Sequence, residues 1–126
     1  MDQSRCVLIV DDDADSRQLT EILLRQELSG IPCEIGHAED GLQAVARCQR
    51  ADVVVMILDM HLPRLDGAAV LRAIKGLPNR PRVIAWTADP AALKHAADHG
   101  ADHSIDKGRD LRELTTAVAA CLVAAS

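Results

Sequence analysis

Aromatic rings are nearly missing from this sequence: Trp86 is the single one, with no Phe and no Tyr among 126 residues. A buried core must therefore be assembled from Val, Leu, Ile, Ala, Met and Cys. Paired cysteines are missing as well. Cys6, Cys33, Cys48 and Cys121 show no C-x-x-C spacing, and each sits inside an apolar or helical pattern. That suits small buried hydrophobes in a reducing compartment rather than bridges or metal ligands. Clustered basic charge is missing: the net charge is -5 and the Lys and Arg residues are scattered. The basic stripe that nucleic-acid binding requires is therefore lacking. Long apolar runs are absent too, and no stretch reaches the length of a bilayer span. The run Cys6–Val10 is too short for a signal peptide and ends in three aspartates, and the apolar stretch Ala117–Ala125 is also too short to cross. These absences argue against a membrane protein and a direct nucleic-acid binder, and leave the cytoplasm as the expected location.

What is present fits one domain over residues 1–126. Apolar residues make up 48% of the chain and charged residues 26%, the balance of a globular domain that can bury a core without staples. No repeat, low-complexity tract or linker interrupts it. The start at Met1 reads as a natural N-terminus, and no output domain is expected within these residues. Val7–Val10, Val53–Leu58 and Val83–Trp86 are continuous apolar runs, the signature of parallel strands covered on both faces. Cys33–Ala38 and Asp102–Asp106 are more polar, as edge strands tolerate.

Helical periodicity fills the intervals. Leu19, Ile22 and Leu23 share one face of Asp15–Leu28, and Leu42, Val45 and Ala46 share one face of Asp40–Gln49. Val70, Leu71 and Ile74 form a third stripe, Leu93, Ala96 and Ala97 a fourth, and Leu111, Leu114, Val118 and Leu122 a fifth. Asp110 with Glu113 three residues later marks a start for the last helix. Five strands alternating with five helices predict an α/β, flavodoxin-like, doubly wound parallel sheet, (βα)5, with strand order 2-1-3-4-5.

That order carries charged residues to one place. Asp11, Asp12 and Asp13 follow the first strand, Asp59 follows the third, Thr87 closes the fourth and Lys107 follows the fifth. All lie at the carboxyl edge of an open parallel sheet, where such folds hold their ligands. Clustered carboxylates repel one another, and an all-oxygen set favours a hard cation such as Mg²⁺. A carboxylate can also attack phosphorus to give an acyl phosphate, and a metal, a Lys and a hydroxyl compensate the transferring group's charge.

With the rim assembled, the sequence resembles the receiver domains of two-component response regulators, chemotaxis-regulator-like single-domain receivers in particular. Val7-Leu8-Ile9-Val10-Asp11-Asp12-Asp13 looks like their opening. Asp59-Met60-His61-Leu62-Pro63-Arg64-Leu65-Asp66-Gly67 resembles their phosphoacceptor motif. Trp86-Thr87-Ala88 is similar to their strand-four signature, and Gly100-Ala101-Asp102 precedes Lys107 as it does there. The resemblance implies that Asp59 accepts a phosphoryl group from the phosphohistidine of a histidine kinase or histidine phosphotransfer protein. It implies Mg²⁺ held by Asp12 directly, by Asp11 mainly through water, and by Asp59 and the His61 carbonyl. Thr87 and Lys107 are implied to bind phosphoryl oxygens. His61 and Asp89 stand where the family tunes dephosphorylation. The fourth helix, fifth strand and fifth helix are the implied face for a downstream protein partner. The resemblance also implies no enzymatic activity beyond the domain's own phosphorylation and dephosphorylation.

Two positions depart from that pattern. Gly108 follows Lys107 where the family has a proline in a cis peptide, and a cis bond before Gly costs several kcal/mol more, so a trans bond is expected. Ser104 stands where a Tyr or Phe usually reports phosphorylation. Strand alternation sets Trp86 on the wrong face to replace that ring. A degenerate receiver serving as a phosphorylation-independent scaffold is the alternative these departures favour, against the intact Asp12, Asp59, Thr87 and Lys107. A phosphatase using Asp11 and Asp13 would leave the Asp59 motif unexplained. His95 and His99 have a metal-binding spacing but no evident third ligand, and a solvated helix face suits them better.

Overall fold

The apolar runs become the strands of one parallel sheet. The computed structural model describes residues 5–108 and 111–125. Its strands are β1 (Cys6–Val10), β2 (Glu34–Ala38), β3 (Val53–Leu58), β4 (Arg82–Thr87) and β5 (His103–Asp106). Between and after them lie α1 (Ala14–Glu27), α2 (Gly41–Cys48), α3 (Gly67–Ile74), α4 (Pro90–Asp98) and α5 (Leu111–Ala124). Every pairing is parallel, and the order is β2-β1-β3-β4-β5. This is the flavodoxin-like arrangement expected from the sequence. β1 is buried along its whole length, whereas the polar strands β2 and β5 take the two edges, where one side of the ladder needs no partner.

Alternation along the strands sorts the core into two layers. Leu8, Val10, Met56, Leu58, Val83 and Ala85 point to the layer covered by α2, α3 and α4. Val7, Ile9, Val55, Ile57, Ile84 and Trp86 point to the layer covered by α1 and α5. Trp86 is 8% exposed and shares its layer with Ile105, so the neighbouring Ser104 faces the other way, as strand alternation predicts.

Two helices present a different face from the one their apolar residues suggest. In α1, Leu19 and Ile22 are 62% and 51% exposed, and the buried residues are Thr20 and Leu24, with Leu28 just beyond. Thr20 can be buried because its hydroxyl donates to the Ser16 carbonyl at 2.8 Å, leaving its methyl group to pack. In α2, Leu42 and Ala46 are exposed and Val45 is half-buried, while Gly41, Ala44 and Cys48 line the core. Small residues are needed there: a Cβ on Gly41 would lie 1.8 Å from the Leu65 carbonyl oxygen. The α4 stripe holds only in part, with Ala96 buried, Leu93 half-buried and Ala97 exposed. The stripes of α3 and α5 are buried as expected, apart from Leu111 at the edge. The expected start signal at Asp110 lies outside the described residues.

The cysteines are free, three buried and Cys33 half-buried. Burial pushes their thiols up, that of Cys48 to about 11, so they stay protonated and behave as apolar groups. No described helix is long and apolar enough to cross a membrane.

Among the described residues, four helices begin with an aspartate cap. Asp13, Asp40, Asp66 and Asp89 accept from backbone N–H groups in the first turns of α1, α2, α3 and α4, each cap worth about 1 kcal/mol. The start of α3 is also locked sterically. The Gly67 N–H donates to the Met60 carbonyl at 3.1 Å, and a Cβ on Gly67 would stand 2.6 Å from Met60 Cα. Gly67→Ala must displace backbone rather than a side-chain tip, and we expect a loss of about 2 kcal/mol or more in urea denaturation.

At the other end of the sheet, Arg47 donates twice to Asp52, tying α2 to the start of β3. Those bonds hold the Asp52 carboxyl below its usual range. Its contribution to stability is therefore present above the ordinary Asp value of about 3.9 and fades as pH falls through the folded value. Asp52→Asn should cost about 1 kcal/mol at pH 7 and progressively less in acid. A deficit that persists unchanged at a pH of about 2 contradicts this.

Candidate functional site

The carboxyl ends of β1, β3, β4 and β5 deliver Asp11, Asp59, Thr87 and Lys107 to one rim. The backbone rungs continue past the strands: the Asp59 N–H donates to Val10 O at 3.0 Å, and the Lys107 N–H to Thr87 O at 3.0 Å. These bonds hold the strand ends level, so the side chains converge. Asp11, Asp12 and Asp59 each offer a carboxylate oxygen, all within 4.8 Å of one another. They form the one such cluster of possible metal ligands among the described residues.

Lys107 answers two of the three charges. Its Nζ donates to Asp11 Oδ2 at 2.8 Å and to Asp59 Oδ2 at 3.1 Å. Asp11 is nearly inaccessible, at 4% exposure, and holds further donors from the Ser16 hydroxyl (2.9 Å) and the Asp13 N–H (3.0 Å). Burial pushes its carboxyl up, but Lys107, the Asp13 N–H and Ser16 more than reverse that, and it sits below the usual range. The Lys107 ammonium shows the reciprocal balance: burial lowers its pKa, the two carboxylates raise it further, and the net shift is upward. Both groups are thus charged across the neutral range. The Lys107 ammonium also lies 5.2 Å from the centroid of the Trp86 ring, within cation–π distance.

Asp12 is exposed, and no described residue reaches its carboxylate with a hydrogen bond or ion pair. Three carboxylates, one of them uncompensated, make an all-oxygen donor set that fits a hard divalent cation. The Asp59 side chain is 12% exposed and accepts from the His61 N–H at 3.0 Å, which folds the following loop back over it. Thr87 is 2% exposed. With Asp59, His61, Asp89 and Lys107 it lines a cleft of about 320 Å³.

Several contacts had no signal in the sequence. The His61 ring nitrogen Nε2 pairs with Asp89 Oδ2 at 2.9 Å across the cleft, with both side chains well exposed. This partner holds the Asp89 carboxyl below its usual range, assisted by the Ala91 N–H. Ser16 and Arg17 secure Asp11 from the first turns of α1, the guanidinium donating to the Asp11 carbonyl at 2.6 Å. Polar residues at the start of a helix are too common for either role to stand out. The rings of His95 and His99 touch at a tilt of 49°, with centroids 4.2 Å apart, and join no described metal cluster. No cis peptide occurs among the described residues, so the Lys107–Gly108 bond is trans, as expected of a glycine.

Known proteins resemble this chain in sequence and in fold. Among curated proteins, a protein-glutamate methylesterase/protein-glutamine glutaminase of Myxococcus xanthus is 41% identical over 81 residues, covering 62% of this chain and 22% of that protein. Transcription factor SKN7 of Saccharomyces cerevisiae is 31% identical over 83 residues, covering 66% of this chain and 13% of that protein. The chain thus spans less than a quarter of the length of either relative. Among solved structures, the signal receiver domain of an HD domain-containing protein from Pseudomonas fluorescens superposes with a TM-score of 0.79 at 27% identity, covering 97% of this chain and 89% of that one. The chemotaxis response regulator CheY4 of Vibrio cholerae shares the fold, with a TM-score of 0.77 at 23% identity over 94% of this chain and 98% of that one. The family description "Response regulator receiver domain" matches residues 7–119, nearly the whole sheet and its helices. This protein belongs to the response regulator receiver domain family of two-component systems.

Proposed function

We propose that residues 1–126 form one receiver domain that takes a phosphoryl group from a phosphohistidine onto Asp59 and changes its affinity for a protein partner. The observation that carries this reading is the bridging of Asp11 and Asp59 by the Lys107 ammonium, beside an exposed Asp12. An Asp59 carboxylate oxygen attacks phosphorus, a new O–P bond forms and the P–N bond to the donor imidazole breaks. The imidazole nitrogen leaves with the electron pair and is neutral once protonated. Lys107, already 3.1 Å from Asp59, and the Thr87 hydroxyl at the same cleft compensate the charge on the phosphoryl oxygens. Asp11, Asp12, Asp59 and the His61 carbonyl are the proposed holders of Mg²⁺, which when bound neutralises phosphoryl charge. The domain does no chemistry beyond its own phosphorylation and dephosphorylation, and works in the cytoplasm without touching nucleic acid or membrane.

The phosphodonor is a histidine kinase or a histidine phosphotransfer protein. The downstream partner binds the α4–β5–α5 face. A groove of about 490 Å³ between β5 and α5, lined by Ser104, Ile105, Thr116, Ala117 and Ala120 among others, supports this choice. Phosphorylation acts by shifting the population of two conformers through new contacts to the phosphoryl oxygens. Ser104, exposed and without an aromatic ring, favours the second reading, a phosphorylation-independent scaffold. The intact Asp59–Lys107 contact weighs against it.

Intact mass after incubation with Mg²⁺ and acetyl phosphate distinguishes the two. The wild type should gain one phosphoryl group and Asp59→Asn none. An unlabelled wild type, even with a cognate kinase, would sink the switch and leave the scaffold. A second expectation concerns Trp86. A divalent cation competes with Lys107 for Asp11 and Asp59, so titrating Mg²⁺ into the wild type should shift Trp86 emission. The same titration into Lys107→Met should give a much smaller change, and equal changes in both proteins would contradict this route.

A further inference from the structure

The backbone fixes where Lys107 starts but not where its long side chain goes. It follows the last residue of β5, its N–H is tied to Thr87 O, and the Gly108 N–H donates to Asp106 Oδ1 at 2.8 Å, closing the turn around it. Yet its ammonium must reach past the end of the sheet to Asp11 and Asp59. Its path is set by alternation. Lys107 lies two residues beyond Ile105, and so projects toward the face that Ile105 shares with Trp86. Trp86 is the residue paired with Ile105 in register across β4 and β5. Asp11 and Asp59 likewise lie two residues beyond Ile9 and Ile57, which belong to the same layer. The indole is therefore beneath the route that Lys107 takes to its two carboxylates, and its ring centroid lies 5.2 Å from Nζ.

We propose that Trp86 is a positioning residue for Lys107: its indole face holds the ammonium by cation–π attraction in the place from which it pairs with Asp59. The ring is fixed for this task, since it is 8% exposed and packed among Ile84, Ile105 and α5. Its electron-rich face supplies what neither a backbone bond nor the glycine after Lys107 supplies, an attraction specific to a cation. An aliphatic residue of similar bulk would fill the layer and exert no such pull. The inference rests on the phosphoacceptor reading for its consequence, because a displaced ammonium leaves the phosphoryl oxygens less well compensated. Its geometric content is independent of that reading.

Because Trp86 is the sole Trp, with no Phe or Tyr beside it, the main test can alter its ring alone. Biosynthetic incorporation of mono-, di- and tetrafluorotryptophan alters this ring alone, weakening its negative face while barely changing its size. Two measurements are made across the series. One is the rate of phosphorylation by acetyl phosphate with Mg²⁺, in which Asp59 attacks phosphorus and acetate leaves. The other is the NMR shift of the Lys107 ε-methylene protons in the unphosphorylated protein.

We expect the rate to fall steadily with fluorination, by about 3- to 10-fold at the end of the series. The upfield ring-current shift of the ε-methylene should diminish in parallel. Trp86→Phe should retain most of the rate and Trp86→Leu should not. Rates and shifts that stay flat along the series would overturn the proposal, since a purely steric role does not respond to fluorine. A wild type that takes no label defeats the phosphoacceptor reading instead. In that case the ε-methylene shifts alone decide whether the indole holds Lys107.

Discussion

The ammonium of Lys107 stands between two carboxylates that the strand order forces together, and the carboxyl edge of the sheet depends on that bridge. Asp11 and Asp59 lie on adjacent strands at the same level, with Asp11 almost fully removed from water. Two like charges so placed would raise one another's pKa or push the strand ends apart. Lys107 arrives from the far edge of the sheet, past β4, and relieves the repulsion at 2.8 and 3.1 Å. The third carboxylate, on Asp12, turns outward to solvent. The site is thereby preorganised around charge, with one acid left over.

The helices reinforce the same arrangement. Each of α1 to α4 begins just after the carboxyl end of a strand or its following loop, and each is capped by an aspartate. Helix N-termini carry partial positive charge, so the rim that collects acids is also the rim toward which four helix dipoles point. Aspartate thus serves the fold and the site at the same edge, as cap at Asp13, Asp40, Asp66 and Asp89 and as cluster at Asp11, Asp12 and Asp59. This shared use explains why a count of acidic residues says little about which ones matter, whereas their position relative to a strand end says a great deal.

Much of this was legible in the residue pattern. β-branched runs mark the buried strands, polar strands mark the edges, and the residues at each strand's carboxyl end mark the rim, so strand order alone brings Asp11, Asp59, Thr87 and Lys107 together. Helix faces were less legible where polarity misleads. Thr20 is buried because a backbone carbonyl satisfies it, while Leu19 and Ile22 are left outside. On α2, close approach to Leu65 selects Gly41, with Ala44 and Cys48 facing inward, over the larger Leu42. Contacts between distant side chains leave no trace in spacing at all. The pairing of His61 with Asp89, and the stacking of Lys107 against Trp86, depend on loop conformation and on rotamers.

The pair formed by His61 and Asp89 has a mechanical meaning. His61 donates its backbone N–H to the Asp59 carboxylate, its ring meets Asp89, and Asp89 in turn accepts the N–H of Ala91 to begin α4. From the carboxylate of Asp59 to the first turn of α4 is therefore a path of three hydrogen bonds, running over the top of the cleft rather than through the interior. The two loops meet at one surface carboxylate, that of Asp89. In a domain that has no aromatic side chain at Ser104, this path between the rim and α4 is external and polar, made of parts that water can reach, and it runs above a second contact in which the Asp89 N–H donates to the buried Thr87 hydroxyl at 3.4 Å.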